Sequence, residues 1–192
     1  MCRIQNKKLM IWIALLAAIA AIAFSQQADP ESDFRAQPVN GGNGVRIVGY
    51  VGSKWDVKIP SHINGLPVTH IGGKAFYEKN LISITIPDTV THIEDGEYRD
   101  DWLSIGMNDG EPYITGAFVG NELTSIVIPD NVYVGNYAFR ENPLTSITIG
   151  ENVDFGDSAF GLRSSAERYE KNGRKAAVIT VDRSDNKWRF AN

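Results

Sequence analysis

Three histidines, His62, His70 and His92, are the chain's whole supply of imidazole, and two of them sit in matching words, Thr69-His70-Ile71 and Thr91-His92-Ile93. If those words fall on neighbouring strands, the two rings lie within a few ångströms of one another. His70 and His92 could then share a transition metal, with Glu94 or Asp95 as a third ligand; the same spelling also suits a surface position that merely holds His twice. A second stretch is acidic: Glu94, Asp95, Glu97, Asp100, Asp101, Asp109 and Glu111 stand against Arg99, interleaved with Tyr98, Trp102 and Tyr113. It does not follow the ligand order of a calcium loop. As a recognition patch for a protein partner, it offers Tyr98, Asp100, Asp101 and Trp102 as contact residues. A third set is hydroxylic, with Ser83 and Thr85, Ser125 beside Val127, and Ser146 and Thr148 at equivalent places. Ser, His and Asp all occur, yet there is no nucleophile motif such as G-x-S-x-G, and the histidines occupy recurring positions rather than a unique one. The expectation is a protein without catalytic activity or cofactor.

What must position these groups is a repeat. Leu81-Ile82-Ser83-Ile84-Thr85-Ile86-Pro87-Asp88, Leu123-Thr124-Ser125-Ile126-Val127-Ile128-Pro129-Asp130 and Leu144-Thr145-Ser146-Ile147-Thr148-Ile149-Gly150-Glu151 are spelled almost alike, and Trp55-Asp56-Val57-Lys58-Ile59-Pro60 follows more loosely. Leu123 to Leu144 is 21 residues, and Ala117-Phe118, Ala138-Phe139 and Ala159-Phe160 recur at that interval. A fixed period of this size marks a stack of coils. Within each word apolar residues alternate with polar ones, and β-branched side chains dominate, as in a strand with one buried face. The proline after Ile59, Ile86 and Ile128 has no N–H to donate and ends the strand. Leu81 to Leu123 spans 42 residues, two periods. Sliding 102–118 under 123–139 sets Trp102 under Leu123 and Ile105 under Ile126, with Tyr98 standing for a phenylalanine. The spacing therefore predicts five coils, starting near Trp55, Leu81, Trp102, Leu123 and Leu144, with an eroded one at about 94–118.

The unit L-T-S-I-T-I-P-x-x-V-x-x-I-G-x-x-A-F-x-x-N resembles the BspA-type leucine-rich repeat of bacterial surface proteins, over about residues 55–160. The resemblance implies a leucine-rich-repeat solenoid, a β-rich α/β horseshoe with a stacked parallel sheet. It also implies surface or extracellular presentation in a host-associated bacterium, with adhesion to host matrix or to other cells as the usual role.

Around the repeats the chain divides into a signal peptide at 1–25, an N-terminal cap at 26–54 and a C-terminal cap at 161–192. Arg3, Lys7 and Lys8 precede the uncharged apolar run Leu9–Phe24, which is shorter than the roughly 20 residues a membrane span needs. Cleavage after Ser25 would leave no membrane span and no thiol, because the one cysteine is Cys2. Phe34–Val39 and Val45–Val51 flank a glycine-rich turn and read as a hairpin. Downstream, Ser164 to Glu167 has capping-box spacing and Gly173 ends a helix of about two turns, followed by a second hairpin over Ala176–Val181 and Lys187–Phe190, its Trp188 and Phe190 available to cover the last coil. Residues 26–160 hold 8 Lys/Arg against 19 Asp/Glu, net −11, while 161–192 hold 8 against 4, net +4. An acidic body argues against nucleic acid as a partner. The reading is a secreted, surface-exposed or periplasmic protein that binds another protein; the alternative is a structural envelope component that self-associates, acidic body against basic end.

Overall fold

Alternation of buried and wet side chains turns each β-branched word into a strand with one apolar face. In the computed structural model, which describes residues 27–39, 41–99, 113–156, 158–161, 169–182 and 187–190, the strands are β1 (Phe34–Pro38), β2 (Val45–Tyr50), β3 (Asp56–Lys58), β4 (His62–Ile63), β5 (Leu66–Ile71), β6 (Ser83–Thr85), β7 (His92–Ile93), β8 (Tyr98–Arg99), β9 (Tyr113–Ile114), β10 (Ser125–Ile128), β11 (Tyr133–Val134), β12 (Ser146–Ile149), β13 (Asp154–Phe155), β14 (Ala177–Asp182) and β15 (Lys187–Phe190). Residues 1–25, where a signal peptide is expected, lie outside the described residues.

Each coil supplies two strands where the spelling marks one. The opening strands are β3, β6, β10 and β12: β3 pairs with β6 in parallel, Val57 opposite Ile84, and β10 pairs with β12 in parallel, Ile126 opposite Ile147. β6 lies beside β10 without joining its ladder. The second strands form another sheet in the order β1-β2-β5-β7-β11-β13, with β4 joined to β5. From β2 to β13 every pair in that path is parallel. Asn64 and Gly65, both at positive φ (51° and 76°), make the tight turn between β4 and β5.

The third side of each coil is the Ala-Phe turn. Phe76, Phe118, Phe139 and Phe160 form one column, with centroids 5.0, 4.8 and 5.5 Å apart and rings within 14° of parallel. That spacing is the strand separation itself, and backbone bonds hold it: the N–H groups of Phe76, Phe118 and Phe139 donate to the carbonyls of Ala117, Ala138 and Ala159, each at 2.8 Å. Leu81, Leu123, Ile93, Val134 and Ile147 fill the space between turn and sheets, all fully buried.

Asparagines tie consecutive coils together. The buried Asn121 accepts from the N–H groups of Lys79 and Leu81 (3.0 and 2.9 Å) and donates to the carbonyls of Phe76 and Phe118 (2.8 and 2.9 Å). Asn142 repeats the arrangement one coil on, with Leu123 N–H and the carbonyls of Phe118 and Phe139.

The eroded coil, third of the five expected, adds no rung to the stack among the described residues. β7 pairs directly with β11, His92 opposite Tyr133 and Ile93 opposite Val134, and Phe118 lies on Phe76 at 5.0 Å. An intervening coil would need twice that separation. Tyr98 does not take the phenylalanine's place; it is about half exposed. The described residues therefore stack four coils, opening at Trp55, Leu81, Leu123 and Leu144. The intervening segment leaves the second of them through a narrow neck as the antiparallel pair β8–β9, Tyr98 opposite Ile114. At the neck, Thr115 N–H donates to Glu97 O at 2.8 Å. A Cβ on Gly96 would sit 1.8 Å from Thr115 O, so only glycine fits there.

At the N-terminal end, β1 and β2 form the antiparallel hairpin that the glycine-rich turn suggested, and β2 then runs parallel to β5 as a further rung. Phe34 and Tyr50 continue the aromatic column onto Phe76 at 6.3 and 5.7 Å. At the other end the chain is helical over 169–171, and Gly173 follows at φ 71°; the expected helix start near Ser164 lies outside the described residues. The C-terminal hairpin meets the last coil along its edge: β14 pairs antiparallel with β12, Ile147 opposite Ile179, and β15 extends the sheet again. The fully buried Tyr169 packs against Phe155 at 5.4 Å, edge to face, and its hydroxyl faces the Gly150 carbonyl at 2.6 Å and receives Val153 N–H at 3.2 Å. Burial pushes that phenol's pKa up.

Candidate functional site

One residue before each buried Ile47, Ile71, Ile93 and Val134, the strand turns a side chain outward. Register places these in a row across the second sheet: Arg46 opposite His70, His70 opposite His92, His92 opposite Tyr133, Tyr133 opposite Asp154. The two imidazoles stack with centroids 4.6 Å apart and planes 2° from parallel, and the Tyr133 ring follows at 6.2 Å, tilted by 52°. Past the strand ends, Glu94 and Asp95 rise beside them. His70, His92, Glu94, Asp95 and Tyr133 line an open depression of about 420 Å³.

Hydrogen bonds fix what these groups present. Thr91 Oγ1 donates to Thr69 O at 3.2 Å, so its lone pair faces His92 Nδ1 at 2.9 Å and the proton of that ring sits on Nδ1. His70 Nδ1 meets Thr69 Oγ1 in the same way, at 2.9 Å. Both rings thus turn an Nε2 lone pair outward. Tyr133 donates its hydroxyl proton to Asp95 Oδ1 at 2.9 Å, and Asn136 N–H reaches the same oxygen at 2.7 Å. Glu94 Oε1 receives Arg46 at 3.2 Å. Burial, and after it the adjoining His92, holds the His70 imidazole below its ordinary pKa; Glu94 opposes this shift and Arg46 adds to it.

The paired histidines of the sequence are therefore neighbours, but parallel rings send their lone pairs side by side rather than to one point. Two nitrogens sharing a metal at about 2.1 Å each must lie no more than about 4.2 Å apart and converge. Among the described residues no group of three or more His, Cys, Asp or Glu is placed to hold a metal ion. His62 stands on β4, away from the pair, its register partner Pro67.

The other two candidate sets fall elsewhere. Ser83, Thr85, Ser125, Ser146 and Thr148 lie on the opening strands, the first two in the β3–β6 sheet and the other three in the sheet of β10 and β12. Ser83 donates to Asp56 Oδ1 at 2.8 Å across β3 and β6, Ser125 and Ser146 continue to Thr180, and Thr148 stands between Val127 and Val178. Tyr98 lies at the base of the excursion, 6.3 Å from the Tyr137 ring, over which Arg140 sits at 5.8 Å. Asp100, Asp101 and Trp102 lie outside the described residues. Arg46 and Tyr133 were invisible as members of the row. Val90 to Ile93 is three steps where Val132 to Val134 is two, so a gap-free comparison of repeats sets Tyr133 off His92 by one.

These features define a repeat protein that carries its distinctive groups on outward sheet rows and on one excursion from the stack. The family model of the BspA type Leucine rich repeat region matches residues 69–168, in six copies, and the chain belongs to that family. The described residues stack four coils where the family model counts six copies. The chain is also similar to the crystal structure of the T. pallidum leucine-rich repeat protein TpLRR, with 16% identity, 76% of this chain and 95% of that one covered, and a TM-score of 0.34. No curated protein matches it. No helix among the described residues is long and apolar enough to cross a membrane.

Proposed function

We propose that the protein is a non-catalytic binding module, exported through residues 1–25 and presented at the cell surface or released, where it adheres to host matrix or to another cell. The observation that carries this reading is the excursion between Glu97 and Thr115. The rest of the stack is built to one plan, whereas this segment leaves it through a glycine neck. Tyr98 stands exposed at its base, and the acidic and aromatic residues Asp100, Asp101 and Trp102 follow. Leucine-rich repeats serve protein partners by offering such surfaces. The hydroxyl rows of the opening strands, Ser83, Thr85, Ser125, Ser146 and Thr148, would form a second, shallower contact, poor in the Trp, Tyr and Arg anchors of tight interfaces. The hairpins at the two ends would act as caps on a solenoid.

The test is retention on immobilised host matrix proteins, wild type against the triple substitution Asp100→Asn, Asp101→Asn, Trp102→Ala. Loss of retention with an unchanged melting curve is the expected result; retention undiminished by the triple substitution rejects this contact surface. The uneven charge, net −11 over 26–160 and +4 over 161–192, favours a second reading, self-association in the envelope. Charge-driven association weakens with salt, so an elution volume in size-exclusion chromatography that stays monomeric at every ionic strength excludes it.

A further inference from the structure

The depression over β5, β7 and β11 presents acceptors. Each imidazole keeps its Nδ1 proton on a threonine and turns Nε2 outward; the Tyr133 hydroxyl proton goes to Asp95; Glu94 and Asp95 are carboxylates. A lining of this kind repels anions and leaves a neutral acceptor unpaired. It suits a group made of donors and carrying positive charge. The chain already shows one such pairing at the margin, where the guanidinium of Arg46, in register with His70, bonds to Glu94. Parallel imidazoles disfavour a shared metal, and the net charge of −11 over residues 26–160 favours approach of a cation from a distance. The open form of the depression suits a side chain on another protein better than an enclosed small molecule.

We propose that this groove receives an arginine side chain of the partner protein, its guanidinium donating to Asp95, Glu94 and the Nε2 atoms of His70 and His92. The proposal rests on the protein-binding reading above and adds to it the chemistry of the contact and a second place for it. An acetyl-Gly-Arg-Gly amide peptide, and the same peptide with citrulline, a neutral isostere, are titrated into the full chain while the imidazole resonances are followed by NMR. The arginine peptide is expected to shift His70 and His92 saturably and the citrulline peptide to leave them in place. Glu94→Gln and Asp95→Asn should each weaken binding about tenfold, each checked for an unchanged melting curve, and Asp88→Asn, an exposed acid elsewhere on the same coil, should not. Equal response to citrulline, indifference to both groove substitutions, an equal loss with Asp88→Asn, or displacement of the peptide by equimolar zinc would each overturn the proposal. A matrix protein retained equally by wild type and by the Glu94→Gln, Asp95→Asn double substitution leaves the binding module standing and removes this groove from it.

Discussion

His70 sets a proton balance in the folded chain. Unfolded, an imidazole takes its proton near pH 6.5; folded, burial and the adjoining His92 hold it lower. Between the two values the unfolded chain binds more protons, so this residue's contribution to stability is present above about pH 6.5 and lost as pH falls toward the folded value. Thermal melts from about pH 7.5 to 5.5 should slide downward, and His70→Asn should flatten the slide; an equal slope in the variant would contradict this account. Asn121 makes a larger contribution. Its removal takes the partner from the N–H groups of Lys79 and Leu81 and from the Phe76 carbonyl, while the Phe118 carbonyl keeps Asn142; a buried group left unpaired costs about 1–3 kcal/mol. With partial relaxation, Asn121→Ala should lose about 2–5 kcal/mol in urea unfolding, whereas Thr145→Ala, on the wet side, should lose under about 1.

At the scale of elements, the neck at Gly96 and Thr115 separates two accounts of residues 98–114. If they were a coil, deleting them would remove a rung. As an excursion they are dispensable to the stack: joining Glu97 to Thr115 through a short glycine turn should keep the far-ultraviolet circular dichroism and shift stability by no more than about 1 kcal/mol, because loop closure depends weakly on length. Loss of cooperative unfolding would restore the coil. The sequence could not decide this, since an insertion one period long keeps every later repeat in phase. Trp102 and Ile105 align with Leu123 and Ile126 by spelling, and it takes the 5.0 Å contact of Phe76 with Phe118 to show that no rung separates those two coils. The opening strands were legible because four to six residues show the alternation of a half-buried strand. The second strands, such as His92–Ile93 and Tyr133–Val134, are too short to show any period. The histidine pair could be seen in the words Thr69-His70-Ile71 and Thr91-His92-Ile93, yet the acceptor lining depends on Thr Oγ1 bonds between coils, and those belong to register.

Across the whole molecule, stability is shared between neighbouring coils, so damage should be graded by position. Phe118 is packed between two rings and fully buried; Phe160 ends the column and keeps 7% of its surface. Phe118→Ala should cost about 3–5 kcal/mol and Phe160→Ala measurably less, read as the difference in urea midpoints at constant slope. The ends of the stack have a consequence for assembly. The second sheet finishes on β1, which runs against β2, and the sheet of β10 and β12 finishes on β15, which runs against β14. A second molecule approaching in the same orientation meets reversed polarity at β1 and cannot prolong that parallel ladder, whereas β15, reversed twice, again runs with β12. The second sheet thus carries its own stop signal against fibre growth, and a ladder built from a repeat that could be extended without limit ends at β1.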